Sequence, residues 1–144
     1  YGMLPNDRRK TLKIYGAYAI NPDWTVGGNL YIASGTPRLC RGHYGPDQLA
    51  GSGTYYWCGG QPVPPGSLGR LPWTHQLSLN VDYKPKWADH KLDFNLAVFN
   101  VFNEQTPVFY NDFFGTTSSP NPDYGRVQDT LSPRSVRFQV SYDF

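Results

Sequence analysis

Hydrophobic and polar residues alternate with a period of two along five stretches of this chain. The stretches cover residues of about 9–20, 24–34, 73–84, 91–102 and 133–144. In the last stretch Val136, Phe138 and Val140 take one face, whereas Arg137 and Gln139 take the other. A period of two is the pattern of a β-strand with one apolar face, so the chain is predicted to be all-β.

The connections between these predicted strands are alternately short and long. The composition of Asn21–Asp23 predicts a tight turn. The connections at residues 35–72 and 103–132 are long and show no periodicity. Each predicted strand has about 10–12 residues and, at a tilt near 40°, spans roughly 25–30 Å. Long strands with short turns at one end and long loops at the other are typical of outer-membrane β-barrels.

Five strands are too few to close such a barrel, because the two edges of the sheet would keep unpaired backbone groups. We therefore expect an antiparallel up-and-down transmembrane β-barrel to which this chain contributes the last five or so strands, as the C-terminal part of a larger polypeptide. Periodicity alone leaves two alternatives. One is a secreted β-sandwich that binds glycan through loop aromatics, and the other is a small barrel formed by several chains.

Composition and motifs narrow the functional class. Lys plus Arg number 13 against 11 Asp plus Glu, for a net charge of +2, which argues against binding nucleic acid by bulk electrostatics. The 3 His lie apart from one another, and no Gly-x-Ser-x-Gly motif occurs. We expect no catalytic residues, no metal site and no cofactor, and hence not an enzyme.

Four segments, in their order along the chain, resemble the late strands of TonB-dependent outer-membrane receptors. They are Leu4–Arg9, Trp24–Leu30 with the following Ser34–Pro37, Phe94–Asn103 and Ser135–Phe144. Phe94–Asn103 resembles the penultimate strand of that family, and Ser135–Phe144 resembles its terminal strand. Within the family the chain looks most similar to the Oar-like group, whose members carry an N-terminal carboxypeptidase-regulatory-like domain.

The resemblance implies a bacterial outer-membrane barrel of about 22 strands with an N-terminal plug. It also implies energised uptake of a bulky nutrient such as a siderophore, a glycan, cobalamin or a peptide. The implied partners are the lipid bilayer, the remaining barrel strands and plug, TonB, and the barrel-assembly machinery. The plug and the TonB-binding box lie at the N-terminus of such proteins, and neither occurs in this sequence.

Cys40 and Cys58 both lie in the first long loop, which this topology places outside the cell. An oxidising periplasm on the folding route favours a disulfide between them, which would contribute on the order of 3 kcal/mol. A metal site shared with His43, or two free thiols, are the alternatives.

Aromatic and basic residues in the long loops are candidate ligand contacts, because rigid rings give large contact area at small entropic loss. The candidates are Arg41, His43, Tyr44, Tyr55, Tyr56, Trp57 and Tyr110. Packing of the loops on themselves is the alternative role for these side chains.

Two further sets of residues fit a membrane barrel. Trp24, Trp73 and Trp87 fall at predicted strand ends, as in an interfacial girdle, with ligand contact as the alternative. The second set resembles the signal read by the barrel-assembly machinery, with plain lipid-facing alternation as the alternative. It comprises Val136, Phe138, Val140, Tyr142 and Phe144.

Overall fold

The structure is a computed structural model that describes residues 2–43 and 55–144. The described residues form eleven strands and one short 3-10 helix, Lys86–Ala88, with no α-helix among them. In chain order the strands are β1 (Thr11–Asn21), β2 (Trp24–Ala33), β3 (Arg41–Gly42), β4 (Trp57–Cys58), β5 (Gln61–Pro62), β6 (Thr74–Tyr83), β7 (Leu92–Phe99), β8 (Pro107–Tyr110), β9 (Phe113–Gly115), β10 (Val127–Thr130) and β11 (Ser135–Tyr142). The prediction of an all-β chain is confirmed.

The chain divides into two compact units, each built from three segments. The sheet unit comprises Thr11–Ala33, Thr74–Gln105 and Ser132–Phe144. The loop unit comprises Tyr1–Lys10, Ser34–Trp73 and Thr106–Leu131. The strands with alternating sequence all fall in the first unit, and the non-periodic stretches fall mainly in the second.

The sheet unit is one five-stranded sheet in the order β1-β2-β6-β7-β11. Every neighbouring pair is antiparallel, and each strand lies beside the preceding long strand of the sequence. The antiparallel prediction is confirmed, and the order is the simple up-and-down meander expected when consecutive strands pair.

Register places the apolar positions of all five strands on one face. Leu79, for example, lies between Gly28 of β2 and Val98 of β7, and Val98 in turn faces Val136 of β11. Because directly opposite residues share a face, the alternation seen in each strand adds up across the sheet. The apolar face carries Leu12, Ile14, Tyr18, Trp24, Val26, Leu30, Ile32, Leu77, Leu79, Val81, Tyr83, Leu92, Phe94, Leu96, Val98, Val136, Phe138, Val140 and Tyr142.

The apolar face is open to its surroundings, on central as well as edge strands. Tyr18 on β1 is 70% exposed and Phe138 on β11 is 63% exposed, and Leu79 on the central β6 still exposes 43%. Among the described residues the only buried hydrophobic side chains are Ala33, Cys40 and Ala97. The chain therefore leaves its largest apolar surface without a covering layer of its own.

The opposite face is polar and has its own hydrogen bonds. Asp82 accepts from Asn80 Nδ2 at 2.9 Å and from Asn95 Nδ2 at 2.6 Å, so both carboxylate oxygens are used. On the same face the Arg137 guanidinium lies over the Phe99 ring, 5.3 Å from its centroid. Lys13 lies over Tyr31 in a similar way, at 5.8 Å.

Asparagine side chains set two of the strand ends. Asn21 Oδ1 accepts from the backbone N–H groups of Asp23 and Trp24, both at 2.9 Å, and closes the predicted tight turn. Asn100 is buried with a φ of 50° and its amide donates to the carbonyls of Glu104 and Ser132. The β7 strand therefore ends at Phe99, earlier than the predicted end at residue 102.

The loop unit contains short strands that the sequence pattern does not reveal. Strand β3 pairs in parallel with β9, whereas β4 pairs with β5 and β8 with β10 in antiparallel fashion. Each of these strands has only two to four residues, which is too short for an alternation of apolar and polar residues to stand out.

Candidate ligand-binding site

The Arg41–Asp112 ion pair joins the two long connections within the loop unit. Arg41 Nε donates to Asp112 Oδ2 at 2.9 Å and its Nη2 donates to Oδ1 at 2.7 Å. The Arg41 backbone N–H also donates to the Asp112 carbonyl, at 2.7 Å. The hydrogen bond with this carboxylate raises the pKa of Arg41 above its ordinary value, since it stabilises the charged form. This geometry favours the packing role for Arg41 over the ligand-contact role.

The structure describes four of the five other candidate ligand contacts in the first long loop. The His43 ring meets the Phe113 ring edge-on at 5.7 Å, and its backbone N–H donates to Gly115. Tyr55 and Tyr56 are exposed, whereas Trp57 is half-buried. Tyr44 lies outside the described residues. Tyr55 and Tyr56 thus keep the solvent access that a ligand contact requires.

Cys40 and Cys58 form a disulfide, with their Cα atoms 6.1 Å apart and a sequence separation of 18. The bridge therefore holds the start of the first long loop against β4. The described residues hold no group of three or more His, Cys, Asp or Glu side chains that could bind a metal ion. The sequence-based expectation of a disulfide agrees with this arrangement.

Two further arginines, which the sequence analysis did not single out, hold the loop unit together. Arg70 Nη1 donates to the carbonyls of Asp7 at 2.9 Å and Gly35 at 3.0 Å, and its Nη2 pairs with the Asp7 carboxylate. Arg8 Nη1 donates to the Ser34 carbonyl at 2.9 Å. No periodicity or motif indicates such pairs, because their members lie far apart in the sequence.

A cleft of about 190 Å³ opens in the loop unit. It is lined by Pro5, Asn6, Thr36, Pro37, Arg38, Leu39, Leu71, Val108, Phe109, Tyr110, Asn111, Asp112, Tyr124 and Gly125. Of the aromatic residues of the second long loop, Phe109, Tyr110 and Tyr124 line it. Arg38, which is exposed, lies over the Tyr110 ring with its guanidinium carbon 5.3 Å from the centroid. The cleft is therefore a mainly apolar recess with a cation at its wall.

Both walls of this cleft are fixed by backbone hydrogen bonds. The Arg38 N–H donates to Gly69 and the Leu71 N–H donates to Thr36, each at 2.9 Å. On the other side Asn111 N–H donates to Arg126 at 2.9 Å, which extends the β8–β10 pairing. The recess is accordingly preformed rather than assembled from loose side chains.

The predicted girdle residues lie at different connections. Trp24 opens β2 and stacks on Tyr83 at 4.4 Å; Tyr83 lies 6.1 Å from Phe94, and Phe94 lies 6.4 Å from Phe138. These four rings form an aromatic row across four strands, of which the sequence analysis had named only Trp24 for a girdle. Trp87 is 72% exposed in the 3-10 helix, and Trp73 immediately precedes β6.

The residues of the expected assembly signal lie along β11 and just beyond it. Val136, Phe138, Val140 and Tyr142 all lie on the apolar face. Phe144 follows the end of β11, is fully exposed, and meets the Tyr142 ring edge-on at 5.3 Å. The placement leaves these side chains free to contact lipid or another protein.

Fold and site geometry define the chain as an all-β protein with a one-sided apolar antiparallel sheet. Among curated proteins it is similar to the TonB-dependent transporter Oar of Myxococcus xanthus, with 28% identity over 109 residues. The match covers 72% of this chain but only 10% of that transporter. The similarity supports a relation to TonB-dependent receptors.

Two other comparisons gave no match, since neither a protein-family model nor a solved structure is similar to this chain. Among the described residues no helix is long and apolar enough to cross a membrane.

Proposed function

We propose that this chain forms part of the wall of an outer-membrane β-barrel belonging to a TonB-dependent receptor, and that its long connections form part of the ligand-binding surface. The single observation that carries the proposal is the continuous, uncovered apolar face of the five-stranded sheet. The similarity to a TonB-dependent transporter supports the transport role.

An apolar face of this extent needs a covering medium. Exposed apolar patches on soluble monomers rarely exceed a few hundred Å². This face runs over all five strands, and edge residues such as Tyr18 and Phe138 leave more than half of their surface exposed. In a bilayer the acyl chains cover it, whereas in water it would drive association.

Strand length agrees with the same environment. The five long strands have 8 to 11 residues. At a rise of ~3.3 Å per residue and a tilt near 40°, such strands span roughly 20–28 Å, close to the ~25 Å apolar band of outer-membrane barrels. The aromatic row begins with Trp24 and Tyr83 at the end with short connections, where an interfacial girdle would sit, and reaches the middle of β11 at Phe138.

The two outer edges of the sheet require further strands. Within the described residues, β1 pairs only with β2 and β11 only with β7. In lipid, unpaired backbone groups cost several kcal/mol each, so both edges must be paired for the sheet to span a membrane. The proposal therefore includes further strands at both edges. The resemblance to TonB-dependent receptors implies a barrel of about 22 strands, to which this chain contributes the last five.

The proposal also covers the partners and chemistry expected from the resemblance. The polar face, with its Asn80–Asp82–Asn95 hydrogen bonds, would line the lumen and meet a plug. TonB and the barrel-assembly machinery would act on the whole protein, which would import a bulky nutrient and perform no catalysis. A β-sandwich fits less well, because its second sheet would cover the face that is open here.

Cell fractionation with heat treatment tests this function. Outer-membrane barrels resist unfolding in detergent until boiled, so an antibody against the loop unit should detect one band that migrates differently before and after boiling. We expect the band in the outer-membrane fraction, at a size many times larger than 16.3 kDa. A band of 16.3 kDa in the soluble fraction, without a heat shift, would contradict the proposal.

A further inference from the structure

We infer that the cleft of the loop unit binds an aromatic or bulky apolar group that carries a carboxylate, with Arg38 as the residue that recognises the anion. The inference deepens the proposed function and rests on it only in treating the cleft as part of a receptor's ligand surface. Its physical basis is the shape, lining and charge of the cleft.

Cleft size limits the group that can enter. The volume of about 190 Å³ is below the ~300–1,000 Å³ typical of sites for drug-sized ligands. One ring or one branched side chain fits such a volume, whereas a whole siderophore or a folded segment does not. The cleft therefore accepts one group, which is either a small ligand by itself or the anchoring part of a larger ligand.

Cleft lining favours an apolar group. Proline, leucine, valine and aromatic side chains supply most of the wall, and Phe109 leaves 48% of its surface exposed. Burial of a ring against such a wall removes apolar area from water on both partners. Tyr110 and Phe109 also offer faces and edges for aromatic contact.

Charge in the cleft favours an anion. The carboxylate that lines it, Asp112, is committed to Arg41 through two hydrogen bonds, so this pair contributes no net charge. Arg38 forms no ion pair with any described residue, and its guanidinium is held over the Tyr110 ring. An arginine stacked on a ring keeps its N–H fork free for bidentate hydrogen bonds to a carboxylate.

Direct binding to the whole detergent-purified protein tests the inference. N-acetyl-L-phenylalanine carries both the ring and the carboxylate, whereas N-acetyl-L-phenylalaninamide keeps the ring and lacks the charge. N-acetylglycine keeps the charge and lacks the ring. By isothermal titration calorimetry we expect the first probe to bind at least ~10-fold more tightly than either of the others.

Variants of exposed arginines supply the matched control. Arg38→Gln should remove the ~10-fold preference for the acid over the amide, while Arg9→Gln, which removes the same charge from another exposed position of the loop unit, should preserve it. Tyr110→Ala should weaken binding of the acid, and Tyr110→Phe should retain it, since only the former removes the supporting ring. Equal binding of acid and amide, or an unchanged preference in Arg38→Gln, would overturn the inference.

One more probe distinguishes the two kinds of ligand that could supply the ring and the carboxylate. They are a free aromatic acid and the C-terminus of a peptide. Gly-Gly-Gly-Phe with a free carboxylate should bind more tightly than N-acetyl-L-phenylalanine if peptide backbone is also recognised, and equally if it is not. Either result supports the carboxylate site, and failure of both probes overturns it. A soluble protein that prefers the acid to the amide would contradict the proposed membrane barrel and support the carboxylate site. A heat-modifiable membrane protein without this preference would support the barrel and contradict the carboxylate site.

Discussion

Individual side chains of the loop unit act over long sequence distances, and the clearest case is Arg41 with Asp112, 71 positions apart. The side chain of Asp112 is 11% exposed and that of Arg41 is 43% exposed. Solvent therefore screens the arginine in part, and the pair is worth less than a fully buried one.

Asp112→Ala removes both hydrogen bonds and leaves Arg41 without its acceptor. We expect a loss of about 1–2 kcal/mol in local stability, seen as trypsin cleavage after Arg41 that is roughly 5–30-fold faster in native membranes. Asp123→Ala is the control, because the Asp123–Arg126 pair is exposed on both sides and its loss should change little. Equal cleavage rates in the two variants would refute the structural role of Asp112.

The sequence predicts the partner of a side chain where chemistry leaves few possible partners. It does not do so where the fold determines which side chains meet. Two cysteines offer only one intramolecular disulfide, and the structure contains it. Arg38, Arg70 and Asp112 carry no such restriction, because their partners come from distant segments that only the folded chain brings together. Arg41 shows the same limit, since the sequence does not reveal that two of its donors bond to Asp112; its role as a ligand contact stays a prediction.

At the scale of elements, β3 lies between two backbones and depends on a residue without a side chain. A Cβ added at Gly42 would lie 2.5 Å from the Trp57 carbonyl oxygen and 2.7 Å from the Gly115 carbonyl oxygen. Both neighbours are backbone atoms: the Gly115 carbonyl accepts from the His43 N–H, and the Trp57 backbone is held by its N–H donating to the Tyr55 carbonyl. The approach of three chain segments at this point therefore requires glycine.

Gly42→Ala should separate β3 from its neighbours and destabilise the loop unit by about 1–3 kcal/mol. Hydrogen exchange of the Gly42 and His43 amides, which donate to Tyr55 and Gly115, measures this directly and should become faster. Gly16→Ala is the control, because a Cβ there meets no described atom within 4 Å. Unchanged exchange in Gly42→Ala would show that β3 has room for a methyl group.

The disulfide is an element-scale constraint, because it closes a stretch of the connection between β2 and β6. Joint replacement Cys40→Ser and Cys58→Ser should remove on the order of 3 kcal/mol from the loop unit by the chain-entropy model. We expect faster proteolysis of this connection with an unchanged heat shift of the barrel. Reductant should reproduce the effect in the wild type and do nothing to the double variant; equal digestion of both proteins without reductant would contradict the role.

Prediction of elements from the sequence works in proportion to their length. Eight or more alternating positions in the sequence predict each long strand, and the structure has five such strands in one antiparallel sheet. Their ends depend on local polar contacts, as at Asn100, and so differ from the predicted bounds by a few residues. The short strands β3, β8, β9 and β10 depend on pairing between distant segments, which no local pattern records. Strands β4 and β5 pair locally, Trp57 with Pro62 and Cys58 with Gln61, but have only two residues each, too few for an alternation to stand out.

At the scale of the whole molecule, the central question is what covers the apolar face of the sheet. Register aligns nineteen apolar side chains on that face, and few hydrophobic residues in the described part of the chain are buried. Sequence alternation predicts that such a face exists but is the same for a sandwich and a membrane barrel. The exposed fractions of residues such as Phe138 carry the argument for lipid.

Spin labels on adjacent residues of β11 test this claim most directly. Phe138 faces Leu96 on the apolar side of the sheet, and Gln139 faces Asn95 on the polar side. Single replacements Phe138→Cys and Gln139→Cys in the whole membrane-embedded protein accept a nitroxide, while the native cysteines remain in their disulfide. The account predicts that the label at 138 is relaxed mainly by oxygen, which partitions into lipid, and the label at 139 mainly by a water-soluble nickel complex. A label at 138 that is relaxed as strongly by the nickel complex as the label at 139 would contradict a lipid-facing wall.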